Sequence, residues 1–156
     1  MLAGRHVPRV YRVSRRGDLH AFLLNAVRLK RLLHADPAVT SIERMDEDAQ
    51  PDFRVRVADG RTILIECKNA SPERYANGDM KVEVQKTRAT RNDPAGRLYR
   101  PEQFDIVAAC LYSPTRHWNF VFVRTSRLER HTSHPDRLAA THRIDGRWSA
   151  TLLDAL

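Results

Sequence analysis

The chain has little cysteine: two in 156 residues, Cys67 and Cys110, each inside an apolar run and neither in a CxxC pair. That excludes a disulfide scaffold and a zinc ribbon. Glycine is also scarce, at six residues, and none build a glycine-rich phosphate loop, so nucleotide hydrolysis has no support. No apolar run approaches the roughly 20 residues of a membrane helix. The opening "MLAGRHVPRVYRVSRRGD" lacks an apolar core followed by a small-residue cleavage site, so it does not read as a secretory signal. A cytoplasmic protein with no membrane partner is the expectation. Ser, His and Asp residues are scattered, with no nucleophile elbow. Lysine is rare as well: of 27 basic residues only Lys30, Lys68, Lys81 and Lys86 are lysines.

The length suits one domain, residues 1–156, large enough for a real core. The net charge of +8 favours a polyanionic partner. Two stretches concentrate it: the N-terminal segment 1–17, with five arginines and no acid in "RHVPRVYRVSRR", and "KVEVQKTRATRNDPAGRLYR". Either could face phosphates or be a solvated basic surface.

"DLHAFLLNAVRLKRLLHADP" predicts a helix with Asp18 as N-cap. Leu19, Phe22, Leu23, Ala26, Val27 and Leu33 recur at helical spacing and Pro37 follows. "VTSIERM" suits a short strand, and "PDFRVRVADGRTILIECK" a hairpin about Asp59-Gly60. In "GDMKVEVQKTRAT", Met80, Val82 and Val84 alternate as in a strand, whereas Asp79 could cap a helix running towards Arg91. "FDIVAACLY" and "HWNFVFV" are strands joined by "SPTR", and "RIDGRWSATLLDAL" ends the chain. The order predicts an α/β or α+β domain with a central mixed sheet flanked by helices.

The hairpin register decides which side chains meet. A two-residue Asp59-Gly60 loop sets Phe53 against Glu66. A three-residue loop, Ala58 to Gly60, pairs Val57 with Arg61, Val55 with Ile63, Phe53 with Ile65 and Asp52 with Glu66. The second register yields one coherent apolar face and is expected, with Gly60 at the left-handed position. Asp52, Glu66 and Lys68 then emerge together on the opposite face, and Cys67 points into the core. Two carboxylates at a strand end suit a hard cation such as Mg²⁺, which takes one or two carboxylates plus phosphate oxygens. The Cys67 carbonyl could add a ligand, and the Lys68 ammonium could stabilise charge developing on a phosphate. A lysine's pKa can move where an arginine's cannot. The alternative is a surface ion pair of Glu66 with Lys68.

Pro51-Asp52, a 13-residue interval, then Glu66-Cys67-Lys68 resembles the PD-(D/E)xK nuclease superfamily. The likeness covers about residues 18–123, an αβββαβ restriction-endonuclease-like core, with 124–156 as an appendage. It implies a Mg²⁺-dependent DNA endonuclease, with Mn²⁺ able to substitute. Asp52 and Glu66 would be metal ligands, joined by the Cys67 carbonyl, with Lys68 beside the attacking water. It favours a helix over "KVEVQKTRAT", with Gln85 reaching the catalytic set. Lys86, Arg88, Arg91, Arg97, Tyr99 and Arg100 are the nucleic-acid contacts it suggests. The first helix offers Asp18, His20 and Asn25 but no glutamate, which argues for one metal. Asp105 is expected to cap or orient its strand. Cutting both strands of a duplex implies a homodimer, and a restriction role implies a methyltransferase partner. A repair or junction-resolving nuclease of the same fold, or a non-catalytic nucleic-acid-binding protein, are the alternatives. His131 and His134 read as loop histidines, and Trp118 and Phe120 as core. Tyr75, in a polar loop, is a further candidate DNA contact.

Overall fold

The computed structural model describes residues 18–47, 49–89 and 92–156, with side chains from residue 24 onward. Expectations for the segment 1–17, for Arg91, and for the side chains of Asp18, Leu19, His20, Phe22 and Leu23 lie outside those described.

Helix α1 spans Asp18–Ala35. Ala26, Leu29 and Leu33, at helical spacing, are buried against the sheet, whereas Val27 is exposed on the opposite side. The strands are β1 (Val39–Arg44), β2 (Phe53–Val57), β3 (Thr62–Arg74), β4 (Met80–Glu83), β5 (Ile106–Cys110), β6 (Phe120–Arg124) and β7 (Thr141–Ile144). Short helices α2 (Tyr112–Thr115) and α3 (Leu152–Ala155) complete the order. The class is α+β, built on a mixed seven-stranded sheet in which β3 and β5 run parallel and the other named pairs antiparallel. Among the described residues no helix is long and apolar enough to cross a membrane.

The hairpin folds in the expected register. Phe53 pairs with Ile65 and Val55 with Ile63, and the Val57 amide donates to the Arg61 carbonyl at 3.0 Å. Gly60 has φ 89°, the conformation that only glycine adopts cheaply. The alternation puts Phe53, Val55, Ile63, Ile65 and Cys67 into one core beneath α1. A second core on the other face gathers Val82, Val84, Phe104, Val107, Ala109 and Leu138.

The segment "KVEVQKTRAT" forms no helix in its described part. Residues 80–83 are strand β4, and Gln85 continues as an isolated bridge to Leu98. Val82 and Val84 are fully buried and Glu83 exposed, so the period of two prevails. Asp79, the candidate cap, instead binds Asn77 and Arg143. The crossover to the parallel strand β5 therefore runs through β4 and a long irregular segment rather than the helix the nuclease pattern suggested.

β3 changes partners along its length. It pairs with β2 up to Ile65 and with β4 from Ala70, and only β5 accompanies it between those residues. Asp105 anchors β5 there: its carboxylate accepts the Leu64 amide at 2.8 Å, and its own amide donates to the Leu64 carbonyl. Residues after β6 are built into the body. β7 pairs with β4, Trp148 joins the second core, and Leu152 and Ala155 join the first.

Candidate active site

The interval between the two partners of β3 holds Glu66, Cys67 and Lys68. Glu66 and Lys68 project from one face, while Cys67 belongs to the core beneath α1. Asp52 precedes β2, and its Oδ2 accepts the Cys67 amide at 2.7 Å. A residue in an extended strand directs its N–H and C=O to the same edge. The Cys67 carbonyl therefore emerges on the Asp52 side.

Glu66 is buried, which is costly for a carboxylate without partners. Its partners are Lys68 Nζ at 2.7 Å and the Tyr99 hydroxyl at 2.6 Å, both on Oε1. Lys68 Nζ also donates to the Tyr99 oxygen at 3.1 Å and to the Gln85 carbonyl at 3.2 Å. Burial alone would lower the Lys68 pKa, but the Glu66 carboxylate and Tyr99 outweigh it and hold the ammonium above the ordinary lysine range. Burial, then the charge of Glu66, pushes the Tyr99 phenol up and keeps it protonated. Lys68 is thus held as an ammonium beside the Glu66 carboxylate.

Asp52 is half-buried, and burial together with the Glu66 charge pushes its pKa from 3.8 up to about 7. The Lys68 and Arg44 charges oppose that rise without cancelling it. Among the described residues Glu66 Oε2 and Asp52 Oδ1 have no hydrogen-bond partner, and with the Cys67 carbonyl they offer oxygen donors of the kind Mg²⁺ or Mn²⁺ takes. The residues fit such an ion. Among the described residues no group of three or more His, Cys, Asp or Glu is placed to hold a metal ion.

Several expected residues stand elsewhere. Gln85 meets the cluster through its main-chain carbonyl, not as a side chain on a helix. Tyr99 is half-buried, with its hydroxyl inside the Glu66–Lys68 pair rather than on an open DNA-facing surface. Lys86 is half-buried, its Nζ 5.7 Å from the centre of the Tyr99 ring, and among the described residues it has no carboxylate partner. Burial, then Arg137, lowers its pKa. Arg88 and Arg97 are exposed, and Arg97 Nε donates to the Lys86 carbonyl at 3.2 Å. Arg100 is exposed and paired with Asp136 at 3.0 Å.

Asn25 of α1 is buried and donates to Asn69 Oδ1 at 2.6 Å. Asn69 follows Lys68 and lies on the Cys67 face of β3, so Asn25 does not join the carboxylates. The His131 and His134 rings lie 5.2 Å apart, tilted at 35°. Tyr75 lies under the Arg143 guanidinium at 4.3 Å. Phe120 is core, and Trp118 stacks on Tyr112. The contact of Tyr99 with the Glu66–Lys68 pair was not legible in the sequence. The only signal for Tyr99 was nearness to basic residues, because its contacts with Glu66 and Lys68 span 33 and 31 positions.

No protein-family model matches the chain, and no curated protein matches it. Among solved structures it is similar to a bacterial homing endonuclease, I-Ssp6803I, at 14% identity with a TM-score of 0.47. The match covers 83% of this chain and 76% of that one.

Proposed function

We propose that this chain is a divalent-metal-dependent DNA endonuclease of the restriction-like type. The observation that carries this reading is the meeting of Asp52, Glu66 and Lys68 at the mouth of the β2–β3 hairpin, with Asp52 bonded to the Cys67 amide and Glu66 to Lys68. Asp52, Glu66 and the Cys67 carbonyl would hold one Mg²⁺ or Mn²⁺. When bound, such an ion supplies charge neutralisation at the phosphate and eases ionisation of the attacking water. Water oxygen bonds to phosphorus, the P–O3′ bond breaks, and the products carry a 5′-phosphate and a 3′-hydroxyl. Lys68 offers its ammonium to the negative charge that grows on the phosphoryl oxygens, an effect commonly worth a few kcal/mol. Lys86, without a carboxylate partner among the described residues and beside Tyr99, supports a role at a flanking phosphate, with Arg88, Arg97 and Arg100 as outer contacts. Two such sites, in a homodimer, would cut both strands of a duplex.

The test is cleavage of duplex, single-stranded and branched DNA with Mg²⁺ and with EDTA. It uses wild type, Asp52→Ala, Glu66→Ala and Lys68→Ala. Cleavage that needs the metal and fails in all three variants is expected. Wild-type levels of cutting by Lys68→Ala would overturn the assigned chemistry, and no cutting of any substrate by wild type would favour a nucleic-acid-binding scaffold.

A further inference from the structure

Glu66 spends one oxygen on two donors. Lys68 Nζ at 2.7 Å and the Tyr99 hydroxyl at 2.6 Å both reach Oε1, and Lys68 Nζ stands 3.1 Å from the Tyr99 oxygen. A phenol can donate one hydrogen bond and accept others. Here it donates to the carboxylate and accepts from the ammonium, closing a three-sided ring.

Resting on the nuclease reading, we propose that Tyr99 is a positioning residue of the cleavage site: by sharing Oε1 with Lys68 it fixes the Glu66 side chain, reserves Oε2 for the cation and sets where the Lys68 ammonium stands. The ring is well suited to this task. Its edge packs on Phe104, with centroids 5.0 Å apart at 83°, and Lys68 lies 5.0 Å from its centre. The Tyr99 carbonyl accepts the Leu138 amide at 2.9 Å, so the main chain is pinned as well.

Tyr99→Phe keeps the ring and removes only the hydroxyl. It is compared with wild type by thermal unfolding, by calorimetric titration with Mn²⁺ without DNA, by duplex DNA affinity in EDTA, and by kcat and KM. The expected result is a fall in kcat of roughly tenfold to a hundredfold, the loss of one charge-assisted hydrogen bond, with weaker Mn²⁺ binding. KM and DNA affinity should stay within about twofold. Unchanged kcat and Mn²⁺ affinity would overturn the assignment, as would a loss confined to DNA affinity, which would make Tyr99 a nucleic-acid contact. Wild-type protein that neither binds Mn²⁺ nor cuts DNA overturns the nuclease reading and this assignment together. Wild-type cutting matched by Tyr99→Phe overturns this assignment alone.

Discussion

Asp52 takes the place of a strand at Cys67, its Oδ2 accepting the Cys67 amide at 2.7 Å where β2 has already ended. One carboxylate thus completes the backbone bonding of β3 and faces Glu66. Asparagine keeps an acceptor for the amide but brings no charge, and alanine has neither. Asp52→Asn is expected to unfold near the wild-type temperature without added metal, while Asp52→Ala loses about 1–2 kcal/mol in urea titration. Both should lose cleavage by roughly two orders of magnitude or more. Asp52→Asn cutting at wild-type rate would remove Asp52 from the cation site.

The raised pKa of Asp52 sets a pH dependence whose sign is opposite to that of an ordinary paired carboxylate. The folded form binds the proton more tightly than the unfolded chain, from about 7 against 3.8. Its ionisation therefore costs stability, fully so above pH 7, and the cost is relieved as pH falls from 7 towards 3.8. In EDTA the wild type should unfold at higher temperature at pH 5.5 than at pH 8, relative to Asp52→Asn. Mn²⁺ competes with that proton, so its affinity by calorimetry should rise with pH through 7.

Lys68 and Glu66 form a half-dry pair in which removing one partner strands the other. Lys68→Ala leaves a buried carboxylate with only the Tyr99 hydroxyl on Oε1, and a loss of about 3 kcal/mol is expected by urea unfolding. DNA affinity in EDTA should change little. A variant as stable as wild type would mean that the Glu66 charge is far better solvated than its burial implies.

His142 on β7 is fully buried, and among the described residues neither ring nitrogen has a well-formed hydrogen bond, with the Ala139 backbone as a weaker polar contact. Burial holds its pKa below 6.5, so the unfolded chain protonates first and stability falls as pH drops below that value. His142→Leu removes both ring nitrogens. It should be more stable by about 1–3 kcal/mol at pH 7, with a shallower acid decline in thermal melts. A less stable variant would show that the ring has polar contacts worth keeping.

Gly60 tests the turn. A methyl group there meets nothing within 4 Å, so Gly60→Ala costs only the left-handed backbone, about 1 kcal/mol by denaturant titration. Cleavage should persist, because the register is held by Phe53 and Val55 against Ile65 and Ile63.

What could be read from the sequence followed distance along the chain. The register of β2 with β3, and with it the company of Asp52, Glu66 and Lys68, is fixed by alternation within one hairpin. The role of Asp105 at the start of β5 was legible only through the resemblance, because its contact with Leu64 spans 41 positions. The segment after Gly78 was not, because Asp79 and the basic residues imitate a helix start. The two burials that decide it, Val82 and Val84, depend on β7 and on a core assembled from Phe104 to Leu138. Val27 has helical spacing too, yet faces solvent, since periodicity locates a stripe but not its width.

β2 and β4 each pair with β3 and not with each other. Asp52 arrives with the first half of the sheet, Gln85 and Tyr99 with the half that follows, and the shared strand supplies Glu66 and Lys68. The candidate site's residues therefore straddle the seam where β3 changes neighbours, so the span from Asp52 to Lys68 depends on how the two parts of the sheet are joined and not on either ladder alone.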